Sequence, residues 1–167
     1  MNENAFHILA VDDDPGILSI YRDILESFSE RSHRSAEGQA LDRGAPACFR
    51  VSCCTQAEEA VGLIKQSVDK NIHYSSVFLD IHLPPGPSGI WAAEKILRLD
   101  PEVNIVLVTG YTLGELGGLP ASLGFSDRLL FLQKPFHPRE IVQFATSLSA
   151  KWRAERRVRS LNANLET

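Results

Sequence analysis

The stretch Ser75-Ser-Val-Phe-Leu-Asp-Ile-His-Leu-Pro84 is an apolar run that ends on a single carboxylate, Asp80. The three consecutive apolar residues before Asp80 are typical of a strand buried on both faces of a parallel sheet. A loop with three prolines and two glycines, Pro84 to Gly89, follows at once. Open α/β sheets bind ligands at the carboxyl ends of their strands. We therefore predict that Asp80 lies at a functional site, as a nucleophile, a metal ligand, a loop cap or all three.

The bulk composition fits a single domain with its own hydrophobic core. The chain has 167 residues, of which 44% are hydrophobic, and a formal net charge of −4. This acidic balance argues against a dominant nucleic-acid or membrane-binding surface. The three cysteines form no CxxC pair, which favours a reduced intracellular protein over a zinc site. The apolar run Ile8–Val11 is too short for a signal peptide or a membrane span, so we expect a cytoplasmic protein without a membrane partner.

Four further apolar runs have the length and composition of strands, and helical patterns separate them. Strand and helix alternate five times, which predicts a doubly wound parallel sheet with helices on both faces. Right-handed crossovers would bring the carboxyl ends of all five strands to one edge. The four other predicted strands are Phe6–Val11, Phe49–Cys54, Asn104–Thr109 and Arg128–Gln133.

Short signals mark where the helices begin. Proline in the first turn and small polar residues just before it are typical of helix starts. The region Tyr111–Ser126 should be helical by position, but its glycines and proline predict a short, irregular or mobile helix. The predicted starts are Asp14-Pro15, a capping box at Thr55-Gln-Ala-Glu58, Ser88 or Gly89, and Pro138 for the last helix. In the helix that begins at Ser88 or Gly89, we expect Ile90, Ala93 and Leu97 to face inward.

Residues Ser29 to Ala47 are polar and lack sustained periodicity. A loop of this length is unusual inside a compact domain. We interpret the segment as a flexible or disordered insertion, and an extension of the preceding helix is the alternative.

The predicted carboxyl edge of the sheet collects five polar side chains: Asp12, Asp13, Asp80, Thr109 and Lys134. Three carboxylates form a hard-oxygen site suited to Mg²⁺, which takes few protein ligands and keeps waters or phosphate oxygens. A lysine and a hydroxyl opposite the metal can hold the other oxygens of a phosphoryl group. A carboxylate between them can act as the nucleophile and form an aspartyl phosphate.

At these positions the chain resembles the CheY-like receiver domains of two-component response regulators. The resemblance covers about residues 5–149. It rests on Val11-Asp12-Asp13, on Leu79-Asp80 with Pro84 and Gly89, on Val108-Thr109-Gly110, and on Phe131-Leu-Gln-Lys134-Pro135-Phe136. The resemblance implies a five-stranded, flavodoxin-like sheet in the order 2-1-3-4-5. It also implies a cis bond between Lys134 and Pro135. The last helix shows no stop signal before Thr167, so we predict an extended C-terminal helix after this sheet.

The resemblance also assigns a role to each site residue. Asp80 would accept a phosphoryl group from the phosphohistidine of a sensor histidine kinase. Asp13, Asp80 and the backbone carbonyl of His82 would bind Mg²⁺, and Asp12 would act on it through water. Lys134 would contact the phosphoryl group, and Thr109 with Phe131 would form the switch pair. The chain would then promote only its own phosphorylation and dephosphorylation, and not act as an enzyme on other substrates.

Some features depart from the family pattern. The loop after Asp80 is one residue longer than usual, and the interval from Thr109 to Lys134 is also long. The segment 150–167 continues the last helix with Val158, Leu161 and Leu165 among five basic residues, and no Gly or Pro stops it. We interpret 1–149 as the receiver domain and 150–167 as a helical linker or coiled-coil stub toward an output domain. This stub would give a homodimer through the helix; a solvated tail and a DNA-contacting basic arm are the alternatives.

Two other functions are alternatives to the interpretation of the chain as a phospho-acceptor. A phosphatase of the haloacid dehalogenase type also uses an Asp nucleophile with Thr and Lys. That chemistry usually needs a second Asp two residues after the nucleophile, where this chain has His82. A receiver-like interaction module that no longer cycles phosphate is the other alternative, although the complete set of residues argues against it.

Overall fold

A computed structural model of the protein describes residues 5–36, 48–110, 119–121, 123–124 and 126–166. Strands and helices alternate along this part of the chain, apart from the interval between the last two strands. The elements are β1 Ala5–Val11, α1 Pro15–Ala36, β2 Cys48–Cys54, α2 Ala57–Asp69, β3 Tyr74–Asp80, α3 Gly89–Leu99, β4 Asn104–Thr109, β5 Leu129–Gln133 and α4 Pro138–Leu165.

The five strands form one parallel sheet in the order β2-β1-β3-β4-β5, which confirms the predicted fold class. The register sets Val11 beside Leu79, Asp80 beside Val108, and Thr109 beside Gln133. Every residue of β3 and of β4 is buried, as expected for central strands covered on both faces. The residues that follow these strand ends therefore meet along one edge, which we call the carboxyl edge.

Two hydrophobic cores cover the two faces of the sheet. Alternate residues along each strand contribute to opposite faces, because successive side chains of a strand point in opposite directions. One core joins the sheet to α2 and α3 and contains Leu9, Val77, Leu79, Ile105 and Leu107. The other joins the sheet to α1 and α4 and contains Ile8, Phe78, Val106, Val108 and Leu132.

The prediction of a loop from Ser29 onward is wrong for residues 29–36, because α1 continues to Ala36. The buried Ser29 hydroxyl donates to the Leu25 carbonyl (2.9 Å) and accepts from the Phe49 amide (3.0 Å). This contact joins α1 to β2 at the start of the helical extension, and that extension was the alternative prediction. Residues 37–47 lie outside the described residues.

The predicted start of α2 needs correction: the residue that caps it is Gln56, not Thr55, and its side chain makes no capping hydrogen bond. On α3 the predicted inward residues do face the core, with Ala93 buried and Ile90 and Leu97 partly buried. The other buried residues of α3 are Gly89, Ala92 and Ile96. Three of the four buried residues are small, which lets α3 approach the sheet closely.

The predicted N-caps of α1 and α3 are correct. The Asp14 side chain accepts from the Gly16 amide in α1, and the Ser88 hydroxyl accepts from the Trp91 amide in α3.

The region predicted as an irregular helix, Tyr111–Ser126, lies largely outside the described residues. In its described part the amides of Leu123 and Gly124 both donate to the Pro120 carbonyl, which forms a turn. None of the helices in the described ranges is long and apolar enough to cross a membrane.

Helix α4 confirms the predicted extended C-terminal helix, with 28 residues from Pro138 to Leu165. A capping box at His137 and Glu140 begins it. Beyond Ala150 the helix makes ion pairs with the amino edge of the sheet, where Glu102 binds Arg156 and Arg159, and Arg128 binds Glu155. All residues from 157 to 166 are exposed.

Candidate functional site

Asp80, the last residue of β3, is only 7% exposed. Its Oδ1 accepts a hydrogen bond from the His82 amide (3.1 Å), and its Oδ2 accepts one from Lys134 Nζ (2.9 Å). Gly89 packs directly against its backbone: a Cβ at position 89 would overlap the Asp80 carbonyl oxygen. A side chain larger than hydrogen at position 89 would therefore displace the strand end that carries the carboxylate.

The acidic pair after β1 lies beside Asp80. Asp12 is 1% exposed; its Oδ1 accepts from the Asp14 amide (2.9 Å) and its Oδ2 from Lys134 Nζ (2.7 Å). Asp13 is exposed, and one carboxylate oxygen from each of Asp12, Asp13 and Asp80 lies within 4.8 Å of the others. The three predicted acids therefore form one cluster at the carboxyl edge.

Lys134 and Thr109 come to the same edge from β5 and β4. The Lys134 amide donates to the Thr109 carbonyl (2.7 Å), which ties the residue after β5 to the end of β4. Thr109 is 3% exposed. The bond between Lys134 and Pro135 is cis, as predicted. The Lys134 ammonium group bridges the two buried carboxylates, Asp12 and Asp80.

The electrostatics of this site are unbalanced, because three carboxylates face one ammonium group. Burial raises the pKa of Asp80 above its usual range; the hydrogen bonds from Lys134 and from the His82 amide oppose this rise, and the charge of Asp12 adds to it. Burial acts to lower the pKa of Lys134, but its hydrogen bonds with Asp12 and Asp80 raise it overall. The surplus negative charge favours a cation at the cluster.

The other two predicted residues lie near the edge in different ways. The His82 side chain is exposed, and the His82 amide contributes to the site by binding Asp80. Phe131 is half-buried against the core formed with α2 and α3, and it pairs in register with Leu107, two residues before Thr109. The fold therefore places Phe131 on the strand next to the one that ends on Thr109.

The sequence did not indicate that Tyr21 belongs to this region. Tyr21 is 1% exposed and packs against Phe78 and Phe136, with ring centroids 5.4 and 5.2 Å away. Burial raises the pKa of its phenol, and the charges of Asp12 and Asp80 raise it further. In the sequence Tyr21 is one of several apolar residues at helical spacing in α1, together with Leu18 and Leu25. Its closeness to the acids follows only from the packing of α1.

The donor set fits Mg²⁺. Carboxylate oxygens are the ligands that this ion prefers, and few of them are needed because the remaining positions hold water or phosphate oxygens. The three clustered acids meet that requirement, and Asp12 and Asp80 are already oriented by backbone amides. Lys134 lies beside the same oxygens, where it can bind an anion that the metal also binds.

Solved structures with the same fold include response regulator receiver domains. The receiver domain protein (CheY-like) of Methanospirillum hungatei JF-1 has a TM-score of 0.66 and 26% identity, over 90% of this chain and 98% of that one. The signal receiver domain of an HD domain-containing protein from Pseudomonas fluorescens Pf-5 has a TM-score of 0.65 and 19% identity, over 94% and 96%.

A longer protein also contains this fold. NtrX from Brucella abortus, solved in complex with ADP, matches with a TM-score of 0.64 and 23% identity, over 94% of this chain and 30% of that chain. No family model matches the sequence, and no curated protein matches it. The structural matches confirm the resemblance to receiver domains, and they support a receiver role for the chain.

Proposed function

We propose that the protein is a phospho-acceptor switch, in which Asp80 takes a phosphoryl group from the phosphohistidine of a sensor histidine kinase in a Mg²⁺-dependent reaction. The observation that carries the proposal is the convergence of three acids and one lysine: Lys134 Nζ lies 2.7 Å from Asp12 and 2.9 Å from Asp80, within the cluster that also includes Asp13. A capping carboxylate would not need these partners.

In the transfer, a carboxylate oxygen of Asp80 forms a bond to phosphorus. The bond from phosphorus to the donor imidazole nitrogen breaks, and that nitrogen keeps the electron pair. Asp13, Asp80 and the His82 carbonyl would hold Mg²⁺, with Asp12 acting through water, and the bound ion would neutralise charge on the phosphoryl oxygens. Lys134 would exchange its contact with the Asp80 carboxylate for one with a phosphoryl oxygen, so that the positive charge stays in place.

The proposed switch uses Thr109 and Phe131. Thr109 is at the buried end of β4, where its hydroxyl can bind a phosphoryl oxygen once Asp80 is modified. Its movement toward the phosphoryl group would leave room for Phe131, which is half-buried on the next strand, to move inward. A phosphoryl group would in this way bias a two-state surface around β4 and β5.

The proposal extends to partners. The kinase supplies the phosphoryl group, and an output domain would receive the signal through α4. Val158, Leu161 and Leu165 are 56%, 56% and 84% exposed on one face of that helix, with the 3–4 spacing of a two-stranded coiled coil. This exposed apolar face supports a homodimer through the C-terminal helix. The proposal also places the protein in the cytoplasm and gives it no enzymatic activity on other substrates.

The test uses acetyl phosphate as a small donor. We expect that incubation with acetyl phosphate and Mg²⁺ adds the mass of one phosphoryl group to the intact protein, and that chelation of Mg²⁺ prevents it. Asp80→Asn should abolish the gain, whereas Asp69→Asn, at an exposed acid on α2, should not. A gain that survives Asp80→Asn, or no gain in the unmodified chain, would overturn the proposal; the latter favours a module that no longer cycles phosphate.

A further inference from the structure

Gln56 holds the position that normally caps a helix, but its side chain is used elsewhere. It is the N-cap residue of α2, with extended backbone angles, and it makes no side-chain hydrogen bond to that helix. N-cap positions favour short polar side chains that accept from the first turn. A glutamine there leaves the amino end of α2 without a side-chain cap, so its amide is free for another role.

The Gln56 amide binds the loop that follows Asp80. Its Nε2 donates to the Pro84 carbonyl (3.0 Å) and to the Thr55 carbonyl (3.0 Å). Its Oε1 accepts from the Gly86 amide (3.3 Å). One side chain therefore binds two backbone groups of the loop, 28 and 30 residues away in sequence.

The proline content of the loop makes this contact specific. Prolines at 84, 85 and 87 have no amide hydrogen, so Gly86 provides the only backbone donor between Pro84 and Pro87. Gln56 accepts from that donor. A Cβ at position 86 would lie 2.8 Å from Gln56 Oε1, so the glycine also gives the amide room to approach.

Three successive residues after Ile81, from His82 to Pro84, are held by different partners. The His82 amide donates to Asp80 Oδ1, the Leu83 side chain is 1% exposed in the core, and the Pro84 carbonyl binds Gln56. The His82 carbonyl, the backbone group expected to bind Mg²⁺, is therefore held between Asp80 on one side and Gln56 on the other. The base of the loop is closed separately, by the Gly89 amide on the Ile81 carbonyl (2.8 Å).

We propose that Gln56 is a positioning residue for the phosphoryl-transfer site, which acts by fixing the loop that presents the His82 carbonyl to the metal. This inference rests on the proposed function of Asp80. Gln56 does not touch the reacting atoms; it sets the direction of a ligand, as partners of metal ligands commonly do. The alternative is a brace that only stabilises the surface loop, and metal affinity separates the two roles.

The experiment compares Gln56→Met with Gln66→Met. The first variant keeps the length of the side chain and removes both loop contacts; the second makes the same change at an exposed position of the same helix. Three quantities are measured on each full chain: the hydrogen exchange rate of the Gly86 amide by NMR, the Mg²⁺ dissociation constant by calorimetry, and the Mg²⁺ dependence of phosphorylation by acetyl phosphate.

We expect Gln56→Met to speed exchange at Gly86, weaken Mg²⁺ binding by about tenfold and raise the half-saturating Mg²⁺ concentration by the same factor, since loss of such a partner commonly costs this much. The phosphorylation rate at saturating Mg²⁺ and the melting temperature should change little, and Gln66→Met should match the unmodified chain. Faster Gly86 exchange with unchanged Mg²⁺ affinity would overturn the positioning role, and unchanged Gly86 exchange would overturn the contact itself. An unmodified chain that neither binds Mg²⁺ nor gains phosphate would instead overturn the proposed function.

Discussion

The two edges of the sheet handle charge in opposite ways. At the carboxyl edge, three acids cluster around one lysine, which pairs with the two that are almost fully buried, Asp12 and Asp80. At the amino edge, Glu102 and Glu155 face Arg128, Arg156 and Arg159 in partly exposed pairs. Glu102 and Glu155 are each paired with at least one cation, whereas the clustered acids of the carboxyl edge outnumber theirs.

This difference indicates which edge is built for stability and which for a reaction. Acids that are each paired with a cation need no further ligand, and partly exposed pairs of this kind contribute little each. A buried excess of carboxylates costs stability until a cation binds, so a fold retains it where that cation has a use. The predictions below test this contrast, from the largest expected effect to the smallest.

Removal of the lysine at the carboxyl edge should have the largest effect. Lys134→Met leaves Asp12 and Asp80 as two buried charges without the cation that they share. We expect the free energy of unfolding to fall by about 3 kcal/mol without Mg²⁺, the lower end for a broken buried pair because a quarter of the lysine side chain is exposed. Phosphorylation by acetyl phosphate should also be lost. Chemical denaturation with and without Mg²⁺ measures the first effect, and Mg²⁺ should recover part of the loss.

The matched control is Lys151→Met on α4. Its Nζ donates only to neutral acceptors among the described contacts, the Asp127 carbonyl and the Asn104 side chain. We expect a loss below about 1 kcal/mol and no change in the response to Mg²⁺. Equal losses at the two lysines would contradict the contrast between the edges.

The close approach of α3 to β3 should be the next most sensitive feature. Gly89→Ala would place a Cβ against three backbone atoms of Asp80 and Ile81, none of which can move independently. We expect a loss of about 2 kcal/mol and weaker Mg²⁺ binding, measured by denaturation and calorimetry. Gly62→Ala, in α2 with no atom within 4 Å of the new Cβ, should instead stabilise the protein by about 0.5–1 kcal/mol. A stable Gly89→Ala protein with unchanged Mg²⁺ affinity would show that this contact does not shape the site.

Neutralisation of the acceptor should increase stability while removing function. The pKa of Asp80 is raised by burial, so its ionised form is disfavoured in the folded state, and Asp80→Asn should raise the free energy of unfolding by about 1 kcal/mol at pH 7 without Mg²⁺. The folded state holds the Asp80 proton more tightly than the unfolded state. The stability gained by Asp80→Asn should therefore be absent below pH 3.8, the ordinary pKa of the carboxyl group. It should grow as the pH rises from there through the raised pKa of Asp80 in the folded state. Denaturation curves from pH 3 to pH 7 check this; a destabilised Asp80→Asn protein would contradict the idea of surplus charge.

The smallest effect belongs to the amino edge. Glu102→Gln weakens the ion pairs with Arg156 and Arg159, whose side chains are 36% and 49% exposed. We expect a loss of roughly 0.5–1 kcal/mol, measured by denaturation, and an unchanged Mg²⁺ dissociation constant, because exposed pairs are screened by solvent. A shift in Mg²⁺ affinity would mean that the two edges are coupled through β4.

Much of the site was predictable from sequence because local patterns determine it. The buried run of β4 has the predicted bounds, Asn104–Thr109, and the alternation of strands with helices was enough to bring Asp12, Asp80, Thr109 and Lys134 together. In a parallel sheet, the position of a residue at a strand end determines its edge without knowledge of any contact.

The features that were missed depend on partners far away in sequence. The contact that joins Ser29 of α1 to β2 is a hydrogen bond from the Phe49 amide, 20 residues further along the chain. The role of Gln56 depends on Gly86, and the surroundings of Tyr21 depend on Phe136. Spacing and propensity describe neighbours on one element, so contacts of this kind become visible only in the folded chain.

The central claim is that Asp80 carries the phosphoryl group, and borohydride reduction tests it most directly. An aspartyl phosphate is reduced by borohydride to homoserine, whereas a free carboxylate is not. After reaction with acetyl phosphate and Mg²⁺, reduction and peptide sequencing by mass spectrometry, we predict homoserine at position 80 and unchanged aspartate at positions 12 and 13. Homoserine at either of those two positions, or aspartate at all three, would contradict the account.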